Sequence, residues 1–270
     1  MSWARILAPL SGGRGDAETI AAAAQLAEPF GAELACVYTP ADIADVMPWM
    51  GEGFLGGVQT SALESLREAA AAGETRAREA MSGCAYDKAR FIVLSTPVWA
   101  ALSAESRLSD VVVFGSEAAR GRGPLAEAFQ QMLADEQRPV LVARDGFQPR
   151  GTIAVAWDGG KEASRAARLA LPLLEKARDV VILAAPKASA RSFDPARLQA
   201  YYAARGVNAR LEVLKETGDA APALLAAARG VSAEILVAGA FGHPRLQEFI
   251  FGGTTRTLLN SDQPSLFLSH

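Results

Sequence analysis

The chain has 270 residues, of which 50% are hydrophobic and 21% charged, with a formal net charge of −3. At roughly 150 residues per domain this suggests two domains, and the apolar content excludes both a disordered chain and a disulfide-stapled mini-protein. The 27 Lys and Arg against 30 Asp and Glu leave no basic excess for nucleic acid, and 2 His and 2 Cys argue against a His-rich zinc site, a Ser-His-Asp hydrolase and a disulfide framework.

In chain order, a first strand is predicted over 6–10, stopped by Ser11-Gly12-Gly13 and followed by an alanine-rich helix over 17–28. Further strands are predicted over 33–38, 90–95, 110–115 and 139–143. Between the second and third lies an extra segment, 41–60, whose stretch 46–57 is apolar, glycine-rich and devoid of Lys or Arg. It reads either as a flap over a groove or partner surface, or as a cover for the edge of the core. A polar stretch with Gly and Pro, 145–151, marks a boundary. Beyond it come strands over 152–157, 179–184, 210–215, 234–240 and 265–268, with helices over 161–176 and 254–260.

The second set echoes the first. Ile153 to Gly160 repeats the pattern of Ile6 to Gly13, and Gln263-Pro264-Ser265-Leu266-Phe267 repeats Arg138-Pro139-Val140-Leu141-Val142. The chain is therefore read as two tandem Rossmann-like α/β domains, 1–147 and 148–270. Apolar runs such as Val111-Val112-Val113-Phe114 suit parallel strands buried on both faces. An all-α reading of the alanine-rich segments is the alternative, and the β-branched runs count against it. No apolar run reaches the ~18 residues of a membrane span, and the N-terminal segment lacks signal-peptide character, so a cytoplasmic location without membrane attachment is expected.

In such sheets ligands collect beyond the carboxyl ends of the strands. The strand ending near Ala238 runs into Gly239-Ala240-Phe241-Gly242, and Phe249-Ile250-Phe251-Gly252-Gly253-Thr254-Thr255 then opens a helix. Glycines let the backbone approach an anion closely, and a helix start offers unpaired N–H groups and a positive dipole end. Thr254 and Thr255 can cap the helix or donate hydroxyls to phosphate oxygens. The same residues also read as a tight loop and a helix cap, with Gly239 as a strand terminator and Asp158 as the cap of the following helix.

This G-x2-G-x9-G pattern, with Asp158 after the first strand of its repeat, resembles the universal stress protein family across nearly the whole chain, strongly in the second repeat and partially in the first. The resemblance implies five-stranded parallel domains of strand order 3-2-1-4-5. It also implies pairing through the last strand, which for two fused repeats means an intrachain pseudo-dimer, with a further homodimer open. ATP, ADP or AMP, with magnesium on the phosphates, falls to Asp158, Gly239, Gly242, Gly252, Gly253, Thr254 and Thr255. Gly253 stands where the family commonly has Ser or Thr, which removes one hydroxyl.

In the first repeat Ser11 stands where Asp158 does, and Glu127-Ala128-Phe129-Gln130 stands where Gly-Gly-Thr-Thr does, so one nucleotide per chain is expected. Arg120 and Arg122 read either as an unrelated anion site or as a solvated basic loop. With no general base in view, the function expected is a stress-response nucleotide-binding regulator of an unknown protein partner, with hydrolysis absent or slow. A nucleotide-independent interaction or small-ligand module built on 46–57 is the alternative. A hydrolase or nucleotide-transferring enzyme on the same sheet is a third.

Overall fold

The computed structural model describes residues 2–40, 57–184, 194–214, 220–240 and 253–270. They cluster into two compact units, one of residues 4–132 and one of 133–270 together with the N-terminal 1–3.

In the first unit the strands are β1 (Arg5–Leu10), β2 (Glu33–Tyr38), β3 (Ala89–Val93) and β4 (Val111–Gly115), neighbouring one another in the order β3-β2-β1-β4 and all parallel. Ile6, Leu7, Leu10, Leu34 and Val111 to Phe114 are fully buried, which is why these runs are continuously apolar rather than alternating. Helices α1 (Asp16–Ala27), α2 (Gly57–Ser82), α3 (Val98–Ser106), α4 (Ser116–Ala119) and α5 (Ala126–Ala134) connect the strands or follow them. Phe114 and Phe129 meet edge to face at 5.4 Å, tying β4 to α5.

The second unit holds β5 (Val140–Ala143), β6 (Thr152–Trp157), β7 (Asp179–Ala184), β8 (Ala209–Val213), β9 (Ile235–Gly239) and β10 (Ser265–Ser269). Their order is β5-β10-β9-β6-β7-β8, and the pairs from β10 to β8 are parallel. Only β5 runs antiparallel to its neighbour, with Val142 opposite Leu266 and Val140 opposite Leu268. The fold is thus α/β with mostly parallel pairing, and all ten predicted strands recur within two residues of their expected ends.

The helix predicted over 161–176 is two pieces, α6 (Lys161–Leu169) and α7 (Leu171–Leu174), because Pro172 sits in the first turn of the second piece and cannot continue the first. After β7 come α8 (Ala196–Ala203), α9 (Ala220–Gly230) and α10 (Gly253–Asn260). No helix among the described residues is long and apolar enough to cross a membrane.

Cys36 is fully buried in β2, whereas Cys84 is half-buried after α2. Burial, then the neighbouring Cys84 and Asp16, push the Cys36 thiol up to about 12. The thiolate is the reactive form. A disulfide exchange reagent at pH 8 is therefore expected to label Cys84 in the native protein and to reach Cys36 only in denaturant. Labelling of both at equal rates refutes this assignment.

Candidate functional site

The carboxyl ends of β6, β9 and β10 lie side by side. The β6–β9 register matches Ile153 with Ile235 and Val155 with Val237, which carries Trp157 level with Gly239. Asp158 follows directly. It is half-buried, and its Oδ1 accepts the Gly160 N–H at 2.9 Å in a tight turn that feeds α6. The cap position of α6 is Gly160, in extended conformation, so Asp158 sits two residues ahead of the cap.

Gly239 ends β9 beneath the first turn of α6. A Cβ built there lies 2.5 Å from the Ala163 nitrogen and 2.6 Å from the Glu162 carbonyl carbon. The absence of a side chain therefore lets helix and strand approach, whatever else the position does. Register pairs Gly239 with Ser269, and the Ala240 N–H bonds the Ser269 carbonyl at 2.9 Å. Beyond it the His270 ring Nδ1 stands 3.1 Å from the Ala240 carbonyl, and Arg165 of α6 donates to the His270 carbonyl at 3.0 Å. His270 and Arg165 thus border the site. Sequence spacing gave no sign of them, because they reach it from the end of β10 and from a helix face.

Gly253 and Thr254 are exposed at the start of α10, and among the described residues no atom beyond its chain neighbours and its own helix backbone lies within 4 Å of a Cβ placed on Gly253. Thr255 is buried in the same turn. Gly242 and Gly252 lie outside the described residues, as do residues 46–56 of the apolar stretch. The structure therefore sets Asp158 and Gly239 at the ends of adjacent strands, with Gly253 and Thr254 exposed at a helix start.

The matching place in the first unit is built differently. Ser11 does replace Asp158, but Asp16 swings back from the start of α1 and supplies a carboxylate. Its Oδ1 accepts the Ser11 N–H at 2.9 Å and the Ser11 hydroxyl at 2.8 Å, and its Oδ2 accepts the Gly12 N–H at 2.8 Å. Asp16 is buried at 3% exposure, so these donors are spent on an internal anion. A second negative charge a few ångströms away meets a repulsion of about 1–4 kcal/mol.

Helix α2 covers this arrangement. Arg76 donates to the Gly12 carbonyl at 2.6 Å, and the Tyr38 hydroxyl donates to the Ala70 carbonyl at 3.0 Å. Gly12 has φ +70°, and a Cβ there lies 2.7 Å from Gly73 Cα, so both glycines are needed for the crossing. A signal was available in sequence: an Asp in the first helical turn after Ser-Gly-Gly can hydrogen-bond back onto that turn. Of the two arginines in the following loop, Arg122 pairs with Glu117 at 2.6 Å on the surface.

No protein-family model matches the sequence, and no curated protein matches it either. Among solved structures, a universal stress protein from Archaeoglobus fulgidus DSM 4304 is similar at 16% identity and TM-score 0.61, over 98% of this chain and 95% of that one. A functionally unknown protein from Pseudomonas aeruginosa PAO1 is similar at 14% identity and TM-score 0.57, over 99% of this chain and 92% of that one. The cytoplasmic domain of a prokaryotic cation chloride cotransporter is similar at 14% identity and TM-score 0.52, over 98% and 95%. At these identities the likeness shows the fold, which is that of universal stress proteins, and fold alone does not carry function.

Proposed function

We propose that the chain is an adenine-nucleotide-binding regulator of universal stress type, made of two repeats, 1–147 and 148–270, each descended from a five-stranded 3-2-1-4-5 unit. One nucleotide, ATP with ADP or AMP as alternatives, is held in the second repeat. Asp158 faces the base or ribose, because a carboxylate repels phosphate. Gly239, Gly242, Gly252, Gly253, Thr254 and Thr255 form the phosphate loop and the helix start behind it.

One observation supports this reading above the others: the turn after β1 is closed by a buried carboxylate under a helix, whereas the second repeat keeps half-buried Asp158 at its strand end and an exposed helix start. Backbone donors in the first are consumed by Asp16, whereas the second presents exposed Gly253 and Thr254 at the positive end of an eight-residue helix. Magnesium, where present, is held by the nucleotide's own phosphates, since no group of three or more His, Cys, Asp or Glu side chains converges among the described residues.

The action is regulatory. Nucleotide shifts the chain toward a conformation that a partner recognises, which requires unequal affinity for the two states. Calorimetric titration with ATP is expected to give one site per chain. Asp158→Ala should weaken binding by about tenfold or more, the scale of one hydrogen bond to a charged group. Two equal sites, or no binding by the intact chain, overturns the proposal. Turnover is expected far below about 1 s⁻¹.

A further inference from the structure

Among the described residues β3 pairs only with β2, and β8 only with β7. An unpaired strand edge presents a row of backbone donors and acceptors that another strand can use. On β8 that row falls on alternate residues. The Leu214 N–H bonds the Ala184 carbonyl of β7 at 2.8 Å, and Ala184 is level with Val213. The backbone groups of Arg210 and Glu212 therefore also face β7, whereas those of Ala209, Leu211 and Val213 face outward.

The side chains alternate as well. Arg210 and Glu212 share one face of the sheet, where Arg210 pairs with Asp179 at 2.7 Å and with Glu212 at 3.2 Å, all three partly exposed. Ala209, Leu211 and Val213 share the other face, and Val213 is 62% exposed. The strand thus reads apolar, cation, apolar, anion, apolar. Turned end over end about Leu211, it exchanges each apolar residue for another and each charge for its opposite.

A hollow of about 340 Å³ lies beside the start of β8, lined by Ala196, Gln199, Ala200, Ala203, Asn208 and Ala209. Its three α8 alanines are exposed, and no charged side chain is in the lining. Gln199 ties α8 to the strand here, donating from Nε2 to the Ala209 carbonyl at 2.8 Å, and that oxygen keeps a second lone pair.

We infer that β8 pairs antiparallel with β8 of a second copy of the chain, about a twofold axis at Leu211. The outward backbone groups then meet in hydrogen-bonded pairs, Leu211 with its counterpart and Ala209 with Val213 of the other copy. Each exposed Val213 side chain lies over Ala209 of the other copy, at the mouth of the alanine-lined hollow. Between these pairs Arg210 stands opposite Glu212 twice, at the closer spacing of non-hydrogen-bonded positions. The contact is isologous, so it closes at two copies. β3 lacks this self-complementarity: Arg90 is its one charge, and the Phe91 ring lies under the Arg78 guanidinium at 4.8 Å. The inference does not depend on the nucleotide reading.

Sedimentation equilibrium of the full chain is expected to show a monomer–dimer equilibrium between about 1 µM and 1 mM, the range of a small interface. Val213→Lys should weaken association about tenfold or more without lowering the melting temperature, since the position is exposed in the monomer and an ammonium would meet the apolar hollow in the dimer. Glu212→Arg and Arg210→Glu should each weaken self-association by a similar factor, because like charges then face each other twice. Mixed in equal amounts, these two variants should associate with one another, since every charge again faces its opposite. That recovery separates a lost contact from a misfolded variant. A chain that stays monomeric throughout this range, association unchanged by Val213→Lys or by either charge reversal, or a mixture that stays monomeric overturns the inference.

Discussion

Gly239→Ala is expected to lower stability by about 3 kcal/mol or more, the upper range for forcing atoms into a packed site. The added methyl lands on backbone, 2.5 Å from the Ala163 nitrogen and 2.6 Å from the Glu162 carbonyl carbon, so no side-chain rotation can relieve it. Either α6 lifts from β9 or the end of β9 shifts. The same substitution at Gly253 meets nothing within 4 Å among the described residues and should change stability by less than about 0.5 kcal/mol. Urea unfolding of the two variants checks the pair, and equal midpoints refute the packing role of Gly239. One consequence bears on any binding experiment. Loss of nucleotide affinity in Gly239→Ala reports displaced α6 as readily as a lost ligand contact, whereas Gly253→Ala tests the phosphate loop with the packing left intact.

Arg144→Met is expected to cost about 3 kcal/mol or more, since each buried acceptor left without its donor costs about 1–3 kcal/mol. Arg144 follows β5 and is buried at 6% exposure. Its Nη1 donates to the Ser261 hydroxyl at 2.7 Å and the Pro264 carbonyl at 2.8 Å, while its Nη2 donates to the Leu258 and Leu259 carbonyls at 2.7 and 3.3 Å. The Leu258 and Leu259 carbonyls lie in the last turn of α10, where a cation also meets the negative end of the helix dipole. Methionine matches much of the volume but leaves the carbonyls without donors. Arg144→Lys should recover only part of the loss, because one ammonium cannot span acceptors set around a planar fork. A melting temperature unchanged in Arg144→Met refutes this role. Since α10 begins at Gly253 and Thr254, loosening its far end should also weaken nucleotide binding in the proposed site.

The strands were legible in the sequence because burial on both faces writes itself locally. Val111 to Phe114 and Ile235 to Ala238 are continuous apolar runs that end at Gly115 and Gly239, and no distant partner is needed to recognise them. The one helix misjudged in extent, 161–176, was broken by Pro172, a local cause that the alanine-rich composition around it obscured. Asp158 and the glycines stand out in the sequence by their spacing, and among the described residues Asp158 follows a strand end and Gly253 opens a helix, as their neighbours dictate.

What the sequence alone determined is the alternation of strand and helix and the types of residue that follow the strands, all properties of neighbours along the chain. Tertiary structure decided the rest: β5 lying antiparallel to β10, Asp16 filling the Ser11–Gly12 turn, Gly239 under α6, Arg144 reaching Ser261 across 117 residues, and the alanine-lined hollow beside β8. Each is a meeting of groups whose energy depends on distance and direction in space, and no periodicity along the chain encodes which donor will face which acceptor.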